Sequence, residues 1–176
     1  YDTVLVLGVE KMNTKNPETT MGIVAKGQAF EFEGGFCISG PSGFALNAVR
    51  HMHEFGTTKE MLSTVAEKNY FHGSKNPYAH KQKVVPFKNI MKAPMVTTPL
   101  GFHDMSLVTD ASAAVVITTK ERAKSISKKP VLIKGSGIGG DYFTLAMKET
   151  SVAFPASIRA ANEAFKMAGV KREDIN

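Results

Sequence analysis

An α/β fold is predicted by three stretches of this sequence. Ser112 to Thr119 is an uncharged run of small and β-branched residues, the composition of a strand covered on both faces. Thr3 to Val9 carries Val4, Leu5, Val6 and Leu7 without polar interruption and reads the same way, with Gly8 where something passes close. Pro155 to Ala168 has helical periodicity, with Ile158, Ala161, Phe165 and Ala168 on one face and Gly169 at its C-terminal cap.

The composition sets the broad class. The 176 residues are 43% hydrophobic and 22% charged, which suits a globular protein with a core of its own. No apolar run approaches the roughly 20 residues of a membrane helix, so no membrane span is expected. The start, Tyr1-Asp-Thr-Val-Leu-Val-Leu, has neither a basic leader nor a cleavage site and does not read as a signal peptide. A single cysteine, Cys37, rules out an internal disulfide framework, and a reducing, cytoplasmic location is expected. The net charge of +6 is uneven: between Glu67 and Asp104 there are six lysines (68, 75, 81, 83, 88 and 92) and no acid. Such a segment reads first as a solvated basic loop, and it also suits an anionic ligand, for instance a phosphorylated cofactor. No zinc knuckle, basic heptad helix or aromatic ladder accompanies it, so nucleic acid is not expected.

The remaining elements follow in chain order. Residues 13–40, rich in Gly, Thr, Asn and Lys, are expected to be irregular. Gly40-Pro41 opens a helix with Phe44, Ala45, Ala48, Val49 and Met52 at helical spacing, closed by Phe55-Gly56. Thr57-Thr-Lys-Glu60 has the form of a capping box, and Met61, Leu62, Val65 and Ala66 form the apolar face of the next helix, which Asn76-Pro77-Tyr78 breaks. Prolines at 86, 94 and 99 leave room for a short helix over Phe87 to Met91 and an extended run. Lys120 to Ser127 suggests a polar helix or linker, and Pro130 to Lys134 another strand. The last residues lead toward a further strand. With a strand beginning almost at Tyr1, the chain reads as a piece cut from a longer order of elements.

Several residues invite a chemical reading. The hydroxyls and carboxylate of Ser106 to Asp110 stand just ahead of a strand, where small neighbours let a ligand approach. Gly135-Ser-Gly-Ile-Gly-Gly140 spells a dinucleotide fingerprint, but no helix opens directly after it, so it is read as a strand-end loop. His51, His53, His72, His80 and His103 do not form a metal set, and His51 and His53 point to different sides of a helix. Cys37 lies in a Gly-rich loop shortly before the Pro41 helix, where chemistry alone leaves both a reactive and an inert thiol open.

Four ordered segments carry a resemblance. Tyr1-Asp-Thr-Val-Leu-Val-Leu-Gly-Val-Glu-Lys-Met12 resembles a signature of thiolases, as does Lys68-Asn69 followed by Asn76-Pro-Tyr-Ala79. His51-Met-His-Glu-Phe-Gly-Thr-Thr58 and Thr109-Asp-Ala-Ser-Ala-Ala-Val-Val116 agree in order and spacing. The chain is similar to the sterol-carrier-protein, or lipid-transfer, branch, which includes archaeal acetyl-CoA acetyltransferases. The resemblance implies a layered α/β fold of two similar halves. It assigns residues 1–12 to a strand of the N-terminal half and 13–105 to an inserted loop domain. It assigns 106–128 to the last strand of that half with a linker, and 129–176 to the start of the C-terminal half.

The resemblance also implies an activity. It is the Claisen condensation or thiolysis of acyl-CoA through a Cys-bound acyl intermediate, with coenzyme A thioester as substrate and no separate cofactor. The family's nucleophilic Cys would precede Tyr1 and its catalytic histidines would follow Asn176, so no catalytic residue is assigned here and this chain alone is expected to be inactive. Ser106, with Leu107 beside it, is placed against the pantetheine arm of coenzyme A; Ser42, Gly43 and Phe44 align more loosely near the pantetheine mouth. The lysines are candidates for the phosphates. Cys37 falls in the loop domain rather than at the nucleophile position. Asn162-Glu-Ala-Phe165 matches a family motif only in spelling, because it sits within a helix rather than on a strand. The family implies a homodimer or tetramer, and some members bind a zinc-ribbon/OB-fold partner. Ala111 stands where the family usually has Gly, which fits only a backbone of negative φ and lends some support to an alternative, a non-catalytic acyl-CoA-binding or scaffold homologue. A ketoacyl synthase fits less well, because Asn76-Pro77-Tyr78 is thiolase-like.

Overall fold

A computed structural model describes residues 1–13, 16–27, 29–33 and 39–175. Its elements are β1 (Thr3–Lys11), α1 (Pro17–Ala25), α2 (Phe30–Glu33), α3 (Gly40–Phe55), α4 (Lys59–Gly73) and α5 (Phe87–Met91). There follow β2 (Met95–Thr97), β3 (Leu100–Gly101), β4 (Asp110–Thr118), α6 (Lys120–Ile126) and α7 (Pro155–Ala168). Two compact units result: one of residues 1–11, 110–141 and 154–176, the other of residues 12–109 and 142–153.

In the first unit β1 and β4 form an antiparallel ribbon in continuous register from Thr3 opposite Thr118 to Lys11 opposite Asp110. Valine, isoleucine and leucine meet across it, with Val4 opposite Ile117, Leu5 opposite Val116 and Val6 opposite Val115. The expectation that both strands are buried on two faces is corrected. Every residue of β1 is exposed, and Leu5 and Val116 keep 65% and 60% of their surface. The sequence carries the apolar residues of covered strands, and among the described residues the ribbon's strands stay exposed in a two-stranded sheet. Ala111 lies in the ladder opposite Glu10, where extended backbone accepts any side chain.

Two helices of this unit begin or end as their sequences dictate. Thr119 caps α6 by accepting from Arg122 N, and Gly169 closes α7 in the left-handed region at φ 65°. The strand expected over Pro130–Lys134 does not form; those residues have no regular structure. The glycines that follow explain what the segment does instead. A Cβ on Gly135, Gly137 or Gly139 would lie 2.2, 2.0 and 2.0 Å from the carbonyl oxygens of Ala164, Ala160 and Ala156. The segment therefore runs antiparallel to α7, laying alternate glycines on alanines one helical turn apart. The packed face of α7 is this alanine row. Of the face expected, Ile158 and Ala161 are exposed, whereas Phe165 and Ala168 are half-buried. Asn162 to Phe165 lie inside α7, as its spacing indicates.

The second unit holds the helices. The irregular structure expected over residues 13–40 is corrected: they contain α1, which Asn16 caps by accepting from Glu18 N with Pro17 at its first position. Thr20 of α1 is buried and donates to Met12 O at 3.2 Å. The α2 carboxylate Glu33 is buried. It accepts from Leu145 N at 2.8 Å, Thr144 Oγ1 at 2.9 Å and Ala29 N at 3.2 Å, which ties residues 142–153 to this unit. The Leu145 amide, more than the other two donors, holds the Glu33 carboxyl below its ordinary range, although burial acts in the opposite direction.

Ser39 caps α3 and Gly56 closes it at φ 67°. The capping box at the start of α4 is displaced by one residue. Thr58, not Thr57, is the cap, accepting from Met61 N at 3.3 Å, and Glu60 is one position too early to complete the box. The Glu60 carboxylate instead accepts from its own amide and from the Thr58 hydroxyl, which lowers its pKa. Ser63 and Ala66 of α4 and Ile90 of α5 are buried where these helices pack together. Glu67 accepts from Phe87 N at 3.0 Å, so α4 also holds the first amide of α5. The short helix lies over Phe87–Met91, as expected, and β2 and β3 make a small hairpin after it.

Gly137→Ala is expected to lower the free energy of unfolding by about 2–3 kcal/mol, because the new methyl meets helix backbone that cannot rotate away. Gly140, with open space around it, is the control: Gly140→Ala is expected to change stability by less than about 0.5 kcal/mol. Urea unfolding of the two variants measures both.

Candidate functional site

The second unit contains a cavity of about 420 Å³ lined by α4 and the segment from Leu100 to Leu107, together with Lys81. Successive turns of α4 bring Leu62, Val65, Ala66, Asn69 and Tyr70 to one wall, since residues three and four apart share a helix face. Leu100, His103, Asp104, Met105, Ser106 and Leu107 supply the other. Half of the lining residues are apolar; Asn69, Tyr70, His103 and Ser106 add neutral hydrogen-bonding groups, and Lys81 and Asp104 charged ones. A concave site that mixes apolar walls with polar groups is a usual form of a small-molecule site.

Asp104 fixes the second wall. Its Oδ2 accepts from the ammonium of Lys59 and, at 2.7 Å, from Gly101 N, while its side chain retains 5% of its surface and that of Lys59 19%. Asp104 Oδ1 is buried without a hydrogen-bond partner among the described residues. A buried ion pair needs such additional donors, because desolvation offsets much of the Coulomb attraction. Residues 102–104 form a single tight helical turn that brings Asp104 back onto its own chain at Gly101. On the same turn His103 turns to α4, where its Nδ1 lies 3.0 Å from Tyr70 Oη.

Of the residues the sequence singles out, Ser106 and Leu107 line the cavity. Ser106 is exposed. Ser42, Gly43 and Phe44 do not line it; they form the first turn of α3. The Ser42 hydroxyl is 2.8 Å from that of Ser39, and Phe44 is exposed. Among the six lysines only Lys81 reaches the lining, and Lys75 lies 4.0 Å over the Phe71 ring. Gly135 to Gly140 opens no helix and, with no strand over Pro130–Lys134, is not a strand-end loop either. Cys37 lies outside the described residues. His51 sits 2.7 Å from Thr57 Oγ1, and no group of three or more metal-ligating side chains is assembled among the described residues. The Tyr70–His103 and Lys59–Asp104 pairs escape the sequence reading, because their members are 33 and 45 residues apart.

Known proteins are similar to this chain. An acetyl-CoA acetyltransferase of Methanothermobacter thermautotrophicus is 34% identical over the whole of this chain. Over its whole length the chain is similar to this thiolase-type acyltransferase. It spans 45% of that relative's length. A steroid side-chain-cleaving aldolase of Thermomonospora curvata is 26% identical over 74% of the chain, with 35% of its own length covered. Two solved structures share the fold over 99% of the chain. An Ltp2-ChsH2(DUF35) aldolase has a TM-score of 0.83 at 22% identity, with 46% of its own chain covered. A monomeric SCP2-thiolase like protein type 1 from Mycobacterium smegmatis has a TM-score of 0.70 at 18% identity, with 37% covered. No family model matches the chain. The fold is thus the α/β fold of sterol-carrier-protein-type thiolases, as the four segments imply. No helix among the described residues is long and apolar enough to cross a membrane.

Asp104→Ala is expected to lower stability by about 3 kcal/mol, because it strands the half-buried Lys59 and the Gly101 amide together. Asp104→Asn, which keeps an acceptor, is expected to lose less. Equal urea midpoints for wild type and Asp104→Ala would remove the brace from this account.

Proposed function

We propose that the whole protein is a thiolase-type acyl-CoA acyltransferase and that the cavity beside Ser106 receives the pantetheine arm of its coenzyme A thioester. The observation that carries this reading is the position of Ser106 and Leu107. The two residues assigned to the arm by resemblance line a cavity that combines six apolar residues with six polar or charged ones. A slender chain with amides along an aliphatic backbone suits such a lining, where Asn69, Tyr70, His103 and Ser106 are the neutral hydrogen-bonding residues beside Lys81 and Asp104. Lys81 in the lining suits an anionic terminus of the ligand. Ser42, Gly43 and Phe44 would contact the ligand only outside the cavity.

The chemistry would be acyl transfer through a cysteine thioester, with a histidine activating the thiol and preorganised donors holding the enolate oxygen. None of these groups is assigned within the chain. The archaeal relative's name supports the acetyl-transferring form. The loop-domain reading of 13–105 is supported by the compactness of the unit that contains it. The uncovered apolar faces of β1 and β4 suit two strands of a larger layered sheet. A second protein as partner is supported by the structural neighbour that pairs an aldolase with a DUF35 component, and we extend the proposal to a zinc-ribbon/OB-fold partner and a homodimeric or tetrameric assembly. A cytoplasmic location belongs to the same proposal.

A second reading, carbon–carbon cleavage of the aldol type, is favoured by the name of the Thermomonospora relative. It would use the same cavity; thiolysis of acetoacetyl-CoA by the whole protein separates the two.

Calorimetric titration with coenzyme A tests the site. Binding is expected, and Ser106→Ala is expected to weaken it about three- to tenfold, the worth of one hydrogen bond. Unchanged affinity in Ser106→Ala would overturn the assignment of that hydroxyl.

A further inference from the structure

Tyr70 and His103 are joined in a way that the coenzyme reading does not by itself require. Tyr70 Oη lies 3.0 Å from His103 Nδ1, and the two rings meet edge-on with centroids 5.3 Å apart. The Phe102 ring braces the imidazole with a second edge-on contact at 5.4 Å. Both Tyr70 and His103 are half-buried and both line the cavity. A neutral imidazole carries one N–H and one lone pair, and a partner on one nitrogen decides what the other presents. With the phenol donating to Nδ1, the proton sits on Nε2 and His103 offers a donor. The charged groups of the same lining are Lys81 and Asp104, and Oδ2 of Asp104 is already occupied by Lys59 and the Gly101 amide.

We infer that Tyr70 and His103 act as one donor unit that makes the cavity select a ligand bearing a hydrogen-bond acceptor, such as an amide carbonyl, over an aliphatic chain of similar reach. His103 makes the contact, and Tyr70 is a positioning residue that sets the tautomer and the ring orientation. The inference rests on the pantetheine reading above and adds the group that enforces it. An apolar wall alone accepts any chain of the right width. A donor that loses its water on binding penalises a ligand with nothing to offer it.

The test compares S-acetylpantetheine with hexyl thioacetate, which carries the same thioester without amides, by ligand-detected magnetic resonance titration of the protein. Wild type is expected to prefer S-acetylpantetheine. Tyr70→Phe and His103→Phe are each expected to reduce that preference about tenfold, leaving affinity for hexyl thioacetate within about twofold. The double variant is expected to lose no more than either single one, as members of a unit do. Tyr70→Phe keeps the ring and its packing, so the test stands even where His103→Phe unfolds. A preference unchanged in Tyr70→Phe, or equal losses for both probes, overturns the inference and leaves the pantetheine reading intact. Wild type that fails to bind S-acetylpantetheine overturns both.

Discussion

The candidate site depends on where one carboxylate goes. Asp104 sits in a tight turn at the end of a small hairpin, and its side chain is withdrawn almost completely from water. A charge in that position is tolerable only with donors arranged around it. Lys59 supplies one from the first turn of α4, and the Gly101 amide supplies another from the turn itself. The result fastens the 100–107 segment to α4. The same fastening carries His103 to Tyr70 and leaves Ser106 and Leu107 at the cavity. The brace and the binding wall are therefore parts of one short stretch, and a change that frees Asp104 moves both.

The first unit is governed by a different constraint. Three alternate glycines allow an extended segment to lie on the backbone of α7 at a distance that no side chain permits. Dispersion and close packing hold that contact, and the sequence signature is small residues on both partners: Gly135, Gly137 and Gly139 against Ala156, Ala160 and Ala164. The β1–β4 ribbon of the same unit satisfies its inner backbone groups by pairing but not its side chains. Regular pairing and apolar exposure coexist because the ladder needs one neighbour per strand, whereas burial needs a layer on each face.

What is legible in the sequence is what depends on neighbours a few residues away. Pro41 and Gly56 bound α3 and Gly169 ends α7, because caps are local hydrogen-bond problems with few residue solutions. The α5 boundaries follow from Pro86 and the succeeding apolar spacing in the same way. The misplaced cap at Thr57 is an error of one residue between two adjacent threonines, either of which can accept the bond. Helix α1 is hidden because its Gly and Thr content outweighs the Asn16-Pro17-Glu18 start signal. Pro130 to Lys134 has strand composition but no strand beside it, and pairing partners cannot be read from composition. Of the site, Ser106 and Leu107 are accessible through family resemblance; the Tyr70–His103 and Lys59–Asp104 pairs are long-range contacts that no local rule reports.

Coenzyme A is proposed to bind in the cavity lined by α4 and the 100–107 segment. Hydrogen–deuterium exchange with and without coenzyme A tests this by location rather than by affinity. Added protection is expected in residues 62–70 and 100–107, with α1 and α7 unchanged. Protection confined to other segments, with the cavity walls exchanging as before, would contradict it.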